Sequence, residues 1–372
     1  MSILRKITGF VTKNPILCIS FIMAVITSIF VPVDSAYIGY FDFRTLTCLF
    51  CVLAVVCALR NINFFYIIAE KIVKTFKNVR TCILALVYIT FIGSMLIAND
   101  MALLTFLPLG FFVLASTQKQ KYIAVTFILQ NIAANLGGML TPFGNPQNLY
   151  LYSKFNIPNL EFLQIMAPAF ILSVTLITLC CFIFIKPEPM VIMGSPVYLN
   201  RKKAVLYLIL FAISIIIVFR GIPYYVGLII IPSVLLFFDR KALLDIDYGL
   251  LLTFVFFFIF AGNMTRIDEI RELISQLLNK NPLIFSVLSC QVISNVPSAI
   301  LLSQFTQDYS SLLVGVNIGG TGTLIASLAS LITFREYKKH NPGRIGYYVG
   351  MFSLFNFAFL IILTAFAYFV QF

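Results

Sequence analysis

The sequence predicts an all-α polytopic membrane protein built from two halves of inverted topology, each with a re-entrant hairpin and a broken transmembrane helix. Three observations carry that expectation. Of 372 residues, 60% are apolar and only 11% charged, with mean hydropathy +1.00, whereas soluble chains carry about 25% charged residues. Two polar turns interrupt otherwise continuous apolar sequence. One Asn- and Gly-rich pattern occurs twice, each time downstream of such a turn. A net charge of +12 on a soluble protein would point to nucleic acid; here membrane topology accounts for it, and no nucleic-acid partner is expected.

Spans need about 17–25 mostly apolar residues. That rule places them at 15–33, 44–60, 81–98, 100–117, 122–150, 162–185, 204–219, 223–238, 249–263, 282–305, 312–334 and 346–370. Counting hairpins apart from full crossings leaves about 11. The start Met1–Lys6, followed by the apolar run from Pro15 to Val31, is similar to a signal sequence; with so many spans after it, it is expected to stay as the first span. Segments 61–80 and 264–281 are polar and expected to lie along the interface. The region 282–305 turns at Ser294-Asn295-Val296-Pro297. Its arms of about a dozen residues reach roughly halfway across the hydrocarbon at about 1.5 Å per residue, which makes a re-entrant hairpin. The region 81–117 has a matching turn at Ala98-Asn99-Asp100, with arms long enough that alone it could be two full spans. The first repeat is expected to occupy 1–190, a cytoplasmic linker 191–203, and the second repeat 204–372.

Charge supports that layout. With the N-terminus in the cytoplasm and both hairpins returning to the side they entered, only Arg44, Lys154, Arg220, Arg266, Arg271 and Lys280 of the 26 basic residues fall outside. This is the positive-inside bias of a cell-membrane protein, and it leaves the C-terminus outside.

The pattern N-[LI]-G-G-x-x-T-x-x-[GA]-[NS] runs from Asn135 to Asn145 and again from Asn317 to Ser327. Each copy follows a hairpin, and each hairpin follows a polar stretch. An odd number of crossings separates the copies, hence the inversion. Gly137, Gly138, Pro142, Gly144 and Pro146 cannot sustain a regular helix through the middle of 122–150, and Gly319, Gly320 and Gly322 do the same in 312–334. Asn145 before Pro146 reads as an N-cap with proline at the first helical position. In hydrocarbon such breaks survive only where they line a cavity or are buried in protein.

Two matched breaks beside two polar tips describe a site. Half-helix N-termini after Asn99, Asn295, Asn145 and the Thr321–Thr323 region direct partial positive charge inward and suit an anion. The expected substrate ligands are therefore Asn99, Asp100, Asn145, Asn148, Ser294, Asn295, Thr321 and Thr323. Freed carbonyls with Asn, Asp and Thr oxygens can hold Na⁺, and the expected positions are Asn99, Asp100, Gly138, Thr141, Gly144, Asn295 and Gly320. Asp100 alone among the 14 acidic residues falls at a turn deep in the membrane, where an acid is a functional position by default. It also reads as a cap on an arm beginning at Met101. Cys48 and Cys51 form a C-x-x-C inside an apolar span and are read as structural, and His340 is the only histidine. No catalytic constellation, phosphate loop or cofactor motif is present, so an enzyme and a primary pump are both disfavoured.

At Ser94–Leu104, Gly137–Asn148 and Ser294–Leu302 the chain resembles the ion transporter superfamily, which includes divalent-anion/sodium symporters, citrate transporters and arsenite permeases. The resemblance covers nearly the whole chain. It implies a secondary transporter of a small anion, a carboxylate such as citrate, coupled to Na⁺ or H⁺. It also implies a homodimer in which a transport domain moves elevator-like against a scaffold. In the symporters each tip reads Ser-Asn-Thr, with Asn and Thr at the substrate; Asn99, Asn295 and Ser294 match, while Ala98, Asp100 and Val296 depart. Ala98-Asn99-Asp100 is more similar to the arsenite permeases, which implies proton coupling, arsenite or antimonite efflux, or Na⁺/H⁺ exchange as the alternative. Gly144–Asn148 resembles the broken helix of citrate-transporter-like members.

Overall fold

The computed structural model describes residues 15–190 and 199–372. The signal-like start at Met1–Lys6 and most of the expected linker 191–203 lie outside the described residues. Among those described, regular structure is helical, with one isolated bridge between Asn78 and Pro189. The first half contributes α1 (Pro15–Phe30), α2 (Phe43–Asn61), α3 (Phe64–Lys74), α4 (Val79–Ile97), α5 (Asn99–Ser116), α6 (Ile123–Gly137), α7 (Pro146–Lys154) and α8 (Asn159–Phe184). The second contributes α9 (Arg201–Val218), α10 (Tyr224–Phe238), α11 (Arg240–Leu244), α12 (Tyr248–Met264), α13 (Asp268–Lys280), α14 (Pro282–Ile293), α15 (Asn295–Leu302), α16 (Tyr309–Ile318), α17 (Leu328–His340) and α18 (Ile345–Phe366).

Helix starts follow local chemistry. Asp42, Asn200, Asp247, Asn281 and Asp308 each accept a hydrogen bond from a backbone N–H in the first turn of the helix that follows, satisfying a donor that no helical carbonyl can reach. The two polar stretches become the short helices α3 and α13, and α13 leaves α12 at an angle of 98°. Among the described residues, six helices are long and apolar enough to cross a membrane, seven if the bent pair α12–α13 is one span. The expected count of about 11 is not reached on length and composition. The apolar stretches of α1, α10, α14 and α16 run only 10–17 residues, the last two because the Ser294 tip and the break at Gly319 stop them short.

Helix packing is densest within two sets, which meet where α12 packs on α15 and α2 on α7. In one, α1 lies along α12, and α2 is flanked by α9, α10 and α11; in the other, α4, α5, α6, α8, α17 and α18 surround one another, with α14–α16 packed together beside them. Helix α6 has every residue buried. By contrast, Ile171, Leu179, Phe182 and Ile183 of α8 are exposed, the pattern of a surface whose solvent is lipid. Cys48 and Cys51 are free, buried thiols on α2.

The close approach of α6 to α4 requires Gly137, where an added Cβ would stand 2.3 Å from the Phe91 carbonyl oxygen and 2.6 Å from Ser94 Oγ. Alanine in a helix is intrinsically better than glycine by about 1 kcal/mol, but a clash with backbone outweighs this, since overpacking costs about 1–3 kcal/mol or more. Gly137→Ala is expected to lower the unfolding temperature in detergent, read by a thiol-reactive dye on the buried cysteines. Gly343→Ala, with open space around its Cβ, should leave it unchanged. Equal transitions would mean that α4 and α6 are not in close contact.

Candidate functional site

The hairpin turns are single residues. Between α4 and α5 stands Ala98 (φ 66°, ψ 151°), and between α14 and α15 stands Ser294 (φ 76°, ψ 158°). Both adopt a backbone region that side chains rarely occupy, at a cost on the order of 1–3 kcal/mol each. Contacts to the breaks hold them there. Asn99 N–H donates to the Gly144 carbonyl (3.1 Å), and Asn295 N–H donates to the Ala326 carbonyl (2.9 Å); Gly144 and Ala326 occupy the same place in the repeated pattern. Thr141 Oγ1 donates to Met95 O (2.7 Å) and Thr323 Oγ1 to Gln291 O (3.2 Å), again the same pattern position reaching the carbonyl four residues before the tip asparagine. Each tip asparagine accepts the next N–H on its own Oδ1, Asp100 N at 2.9 Å and Val296 N at 2.9 Å. The two halves share one hydrogen-bond plan.

The asparagines that open each pattern copy cross to the opposite half. Asn135 Oδ1 accepts from Asn99 Nδ2 (3.1 Å) and from Ser327 Oγ (2.8 Å). Asn317 Nδ2 donates to Asn148 Oδ1 (2.6 Å), and Asn317 Oδ1 accepts from Asn145 Nδ2 (3.1 Å) and Gln147 Nε2 (3.4 Å). All these residues are buried. Side-chain amides also take up the carbonyls released at the breaks. Asn148 Nδ2 lies 3.2 Å from Gly138 O, 3.2 Å from Met139 O and 3.3 Å from Thr141 O. Gln291 Nε2 donates to Gly319 O (2.8 Å) and Thr321 O (3.1 Å).

A cavity of about 570 Å³ opens between the tips. Of the expected substrate ligands, Asn99, Asp100, Ser294 and Asn295 line it, joined by Gln147, Asp245, Asp247, Ser327 and Arg335. Asn145 and Asn148 stand behind the wall, in the amide network. Thr321 Oγ1 is bonded to Ile318 O (2.6 Å) and Thr323 to Gln291, so neither lines the cavity. The second break is longer than expected from Thr321–Thr323: its half-helix starts at Leu328 under a Ser327 cap. Asn145 precedes α7 but makes no side-chain cap bond: its Nδ2 donates to Asn135 O and Asn317 Oδ1, and its Oδ1 is buried without a partner. Asp100 is not a cap either: α5 begins at Asn99, and Asp100 Oδ1 is buried with no partner. Of the expected Na⁺ positions, Asn99, Asp100 and Asn295 line the cavity, while the glycines lie in the packed breaks. At Gly138 a Cβ would stand 2.3 Å from Asn145 Oδ1, at Gly144 2.4 Å from Gly138 O, and at Gly320 3.0 Å from Asn295 Nδ2.

Sequence reasoning missed Asp245 and Asp247, which it placed in a loop at a span end, and Gln147, whose Oε1 is buried without a partner. No spacing links the aspartates to Asp100, from which 145 and 147 positions separate them. Asn61, the last residue of α2, donates to Asp245 Oδ2 (3.0 Å). The three aspartates line the cavity without converging as a metal chelate among the described residues.

A family model described as citrate transporter matches residues 7–310. An uncharacterized transporter of Methanocaldococcus jannaschii is 32% identical over 327 residues, spanning 88% of this chain and 89% of that protein. The inner membrane protein YbiR of Escherichia coli is 29% identical over 285 residues, spanning 73% and 74%.

Removing Asn317 takes the partner of Gln147 Nε2 and of Asn148 Oδ1, and one of two acceptors of Asn145 Nδ2, in a buried setting, where an unmet polar group costs about 1–3 kcal/mol. Asn317→Ala is expected to destabilise the protein by at least about 2 kcal/mol in reversible denaturation, whereas Asn200→Ala at an exposed cap should cost about 1 kcal/mol or less. Equal losses would deny the crossing its structural weight.

Proposed function

This chain belongs to the citrate transporter family, and on that premise we propose that it is a secondary active transporter of a small carboxylate such as citrate, coupled to H⁺ through Asp100. The observation that carries the reading is the single cavity shared by both tips, Asn99-Asp100 and Ser294-Asn295. Amides and helix N-termini there suit carboxylate oxygens. Electrostatics supplies the coupling. The cavity wall carries Asp100, Asp245 and Asp247 against Arg335, and like unit charges 6 Å apart repel by about 3 kcal/mol at an effective dielectric of 20. An anion therefore binds best when Asp100 is protonated, which ties its movement to a proton. A proton is favoured over Na⁺ because amide hydrogens of Asn148 and Gln291 already occupy break carbonyls that a cation would use.

The matched tips and breaks support two inverted repeats at 1–190 and 204–372. The two packing groups support a scaffold of α1, α2 and α9–α12 with the remaining helices as an elevator-like transport domain, assembled as a homodimer in the cell membrane. With the N-terminus in the cytoplasm and the C-terminus outside, the cavity opens inward. The excess of carboxylates in its wall favours one second reading, in which the same site serves cation/proton exchange or arsenite and antimonite efflux.

Labelled citrate uptake into proteoliposomes, under an imposed H⁺ gradient and separately a Na⁺ gradient, tests this. Saturable uptake driven by H⁺ alone is expected, faster as the loading side is made more acidic, because protonation of Asp100 favours the anion. Uptake driven only by Na⁺ would overturn the coupling, and none under either gradient would transfer the site to the second reading. Asp100→Asn should leave folding intact and remove the pH dependence of uptake; an unchanged pH profile would clear Asp100 of the role. Asn99→Ala and Asn295→Ala should each raise KM about tenfold or more, the loss of one charge-assisted hydrogen bond, with Asn200→Ala unaffected.

A further inference from the structure

A second cavity, of about 420 Å³, lies at the far ends of the same helices that form the first. Helix α7 presents Pro146 and Gln147 to the central cavity and Ser153 and Lys154 to the second; α12 presents Thr253 to one and Phe258 and Gly262 to the other; α15 begins at the central tip and is followed by Gln304 in the second. Nine residues of α7 span about 13 Å at 1.5 Å per residue. Between the cavities stands a buried plug in which the rings of Tyr150 and Phe258 meet at 5.5 Å and Tyr150 Oη bonds Ser303 Oγ at 2.9 Å.

The charge of the second cavity is opposite to that of the first. Arg44, on the first turn of α2, lines it and makes no hydrogen bond or ion pair among the described residues. Lys154 Nζ donates only to the neutral Gln304 Oε1 (2.9 Å), and Gln304 in turn donates to Tyr150 Oη (3.2 Å). The one carboxylate in the wall, Asp42, is used at the start of α2, accepting from Thr45 N (2.9 Å) and Thr45 Oγ1 (2.6 Å). A guanidinium with five donors and an ammonium with two to spare thus share a concave polar wall with a single carboxylate, which leaves one positive charge in excess, an arrangement that binds carboxylate or phosphate oxygens through charge-assisted hydrogen bonds.

We propose that this cavity is a second anion site, taking a small soluble carboxylate on the side opposite the mouth of the central cavity, with Arg44 and Lys154 as its ligands. It shares with the transport reading only the charge of the ligand. An anionic lipid headgroup offers the same oxygen chemistry, so the test separates the two sources.

The chain contains no tryptophan, so Phe41→Trp, in the cavity wall, is a unique reporter. The whole protein in zwitterionic nanodiscs is titrated with citrate, with chloride at matched ionic strength, and compared with nanodiscs containing phosphatidylglycerol. The expected result is a saturable citrate response that weakens about tenfold or more in Arg44→Gln and in Lys154→Gln but persists with Asn99→Ala. If Phe41→Trp does not fold, protection of Thr265→Cys from a membrane-impermeant thiol reagent by citrate reads the same site. No citrate response, a response to phosphatidylglycerol alone, or a citrate response abolished by Asn99→Ala would each overturn the proposal. Because binding is read without transport, failed citrate uptake with a surviving fluorescence response would reject the transport reading and leave this site standing.

Discussion

Each backbone group released where a helix breaks inside a membrane must find a partner in the protein, since hydrocarbon offers none. That constraint organises this structure. The breaks after Gly137 and Ile318 release carbonyls and N–H groups at the centre of the fold, and the tips at Ala98 and Ser294 release more. They are satisfied against one another: tip N–H to break carbonyl, break threonine to hairpin carbonyl, and side-chain amides of Asn148 and Gln291 across the remaining oxygens. The tips and breaks therefore stand or fall as one assembly.

Asn135 and Asn317 extend that assembly across the molecule. Each opens one copy of the repeated pattern, and each bonds to the other half, Asn135 to Ser327 and Asn317 to Asn145, Gln147 and Asn148. Buried amide networks of this kind specify one arrangement because partial satisfaction is costly. The cavity between the tips is consequently walled by residues whose positions are over-determined, which holds Asn99 and Asn295 ready at its surface.

The two cavities divide the charge. Acidic residues gather where both tips meet, basic residues at the opposite ends of α7, α12 and α15. The Tyr150–Phe258 plug separates them.

Composition, the doubled pattern and the paired turns were enough to read the helical membrane class, the hairpins at Ala98 and Ser294, and the breaks at Gly137 and Gly319, because hydrophobic length and Gly/Pro chemistry act locally along the chain. The tip asparagines and Asp100 were legible for the same reason: polar residues in apolar surroundings stand out. The tertiary structure alone decided what faces the cavity. It brought in Asp245, Asp247 and Arg335 from distant helix ends, turned Asn145, Asn148, Thr321 and Thr323 to internal bonds, and showed the amides filling the freed carbonyls. Those outcomes depend on which hydrogen-bond partner each polar group meets after packing, and no periodicity or spacing encodes a meeting between residues more than a hundred positions apart.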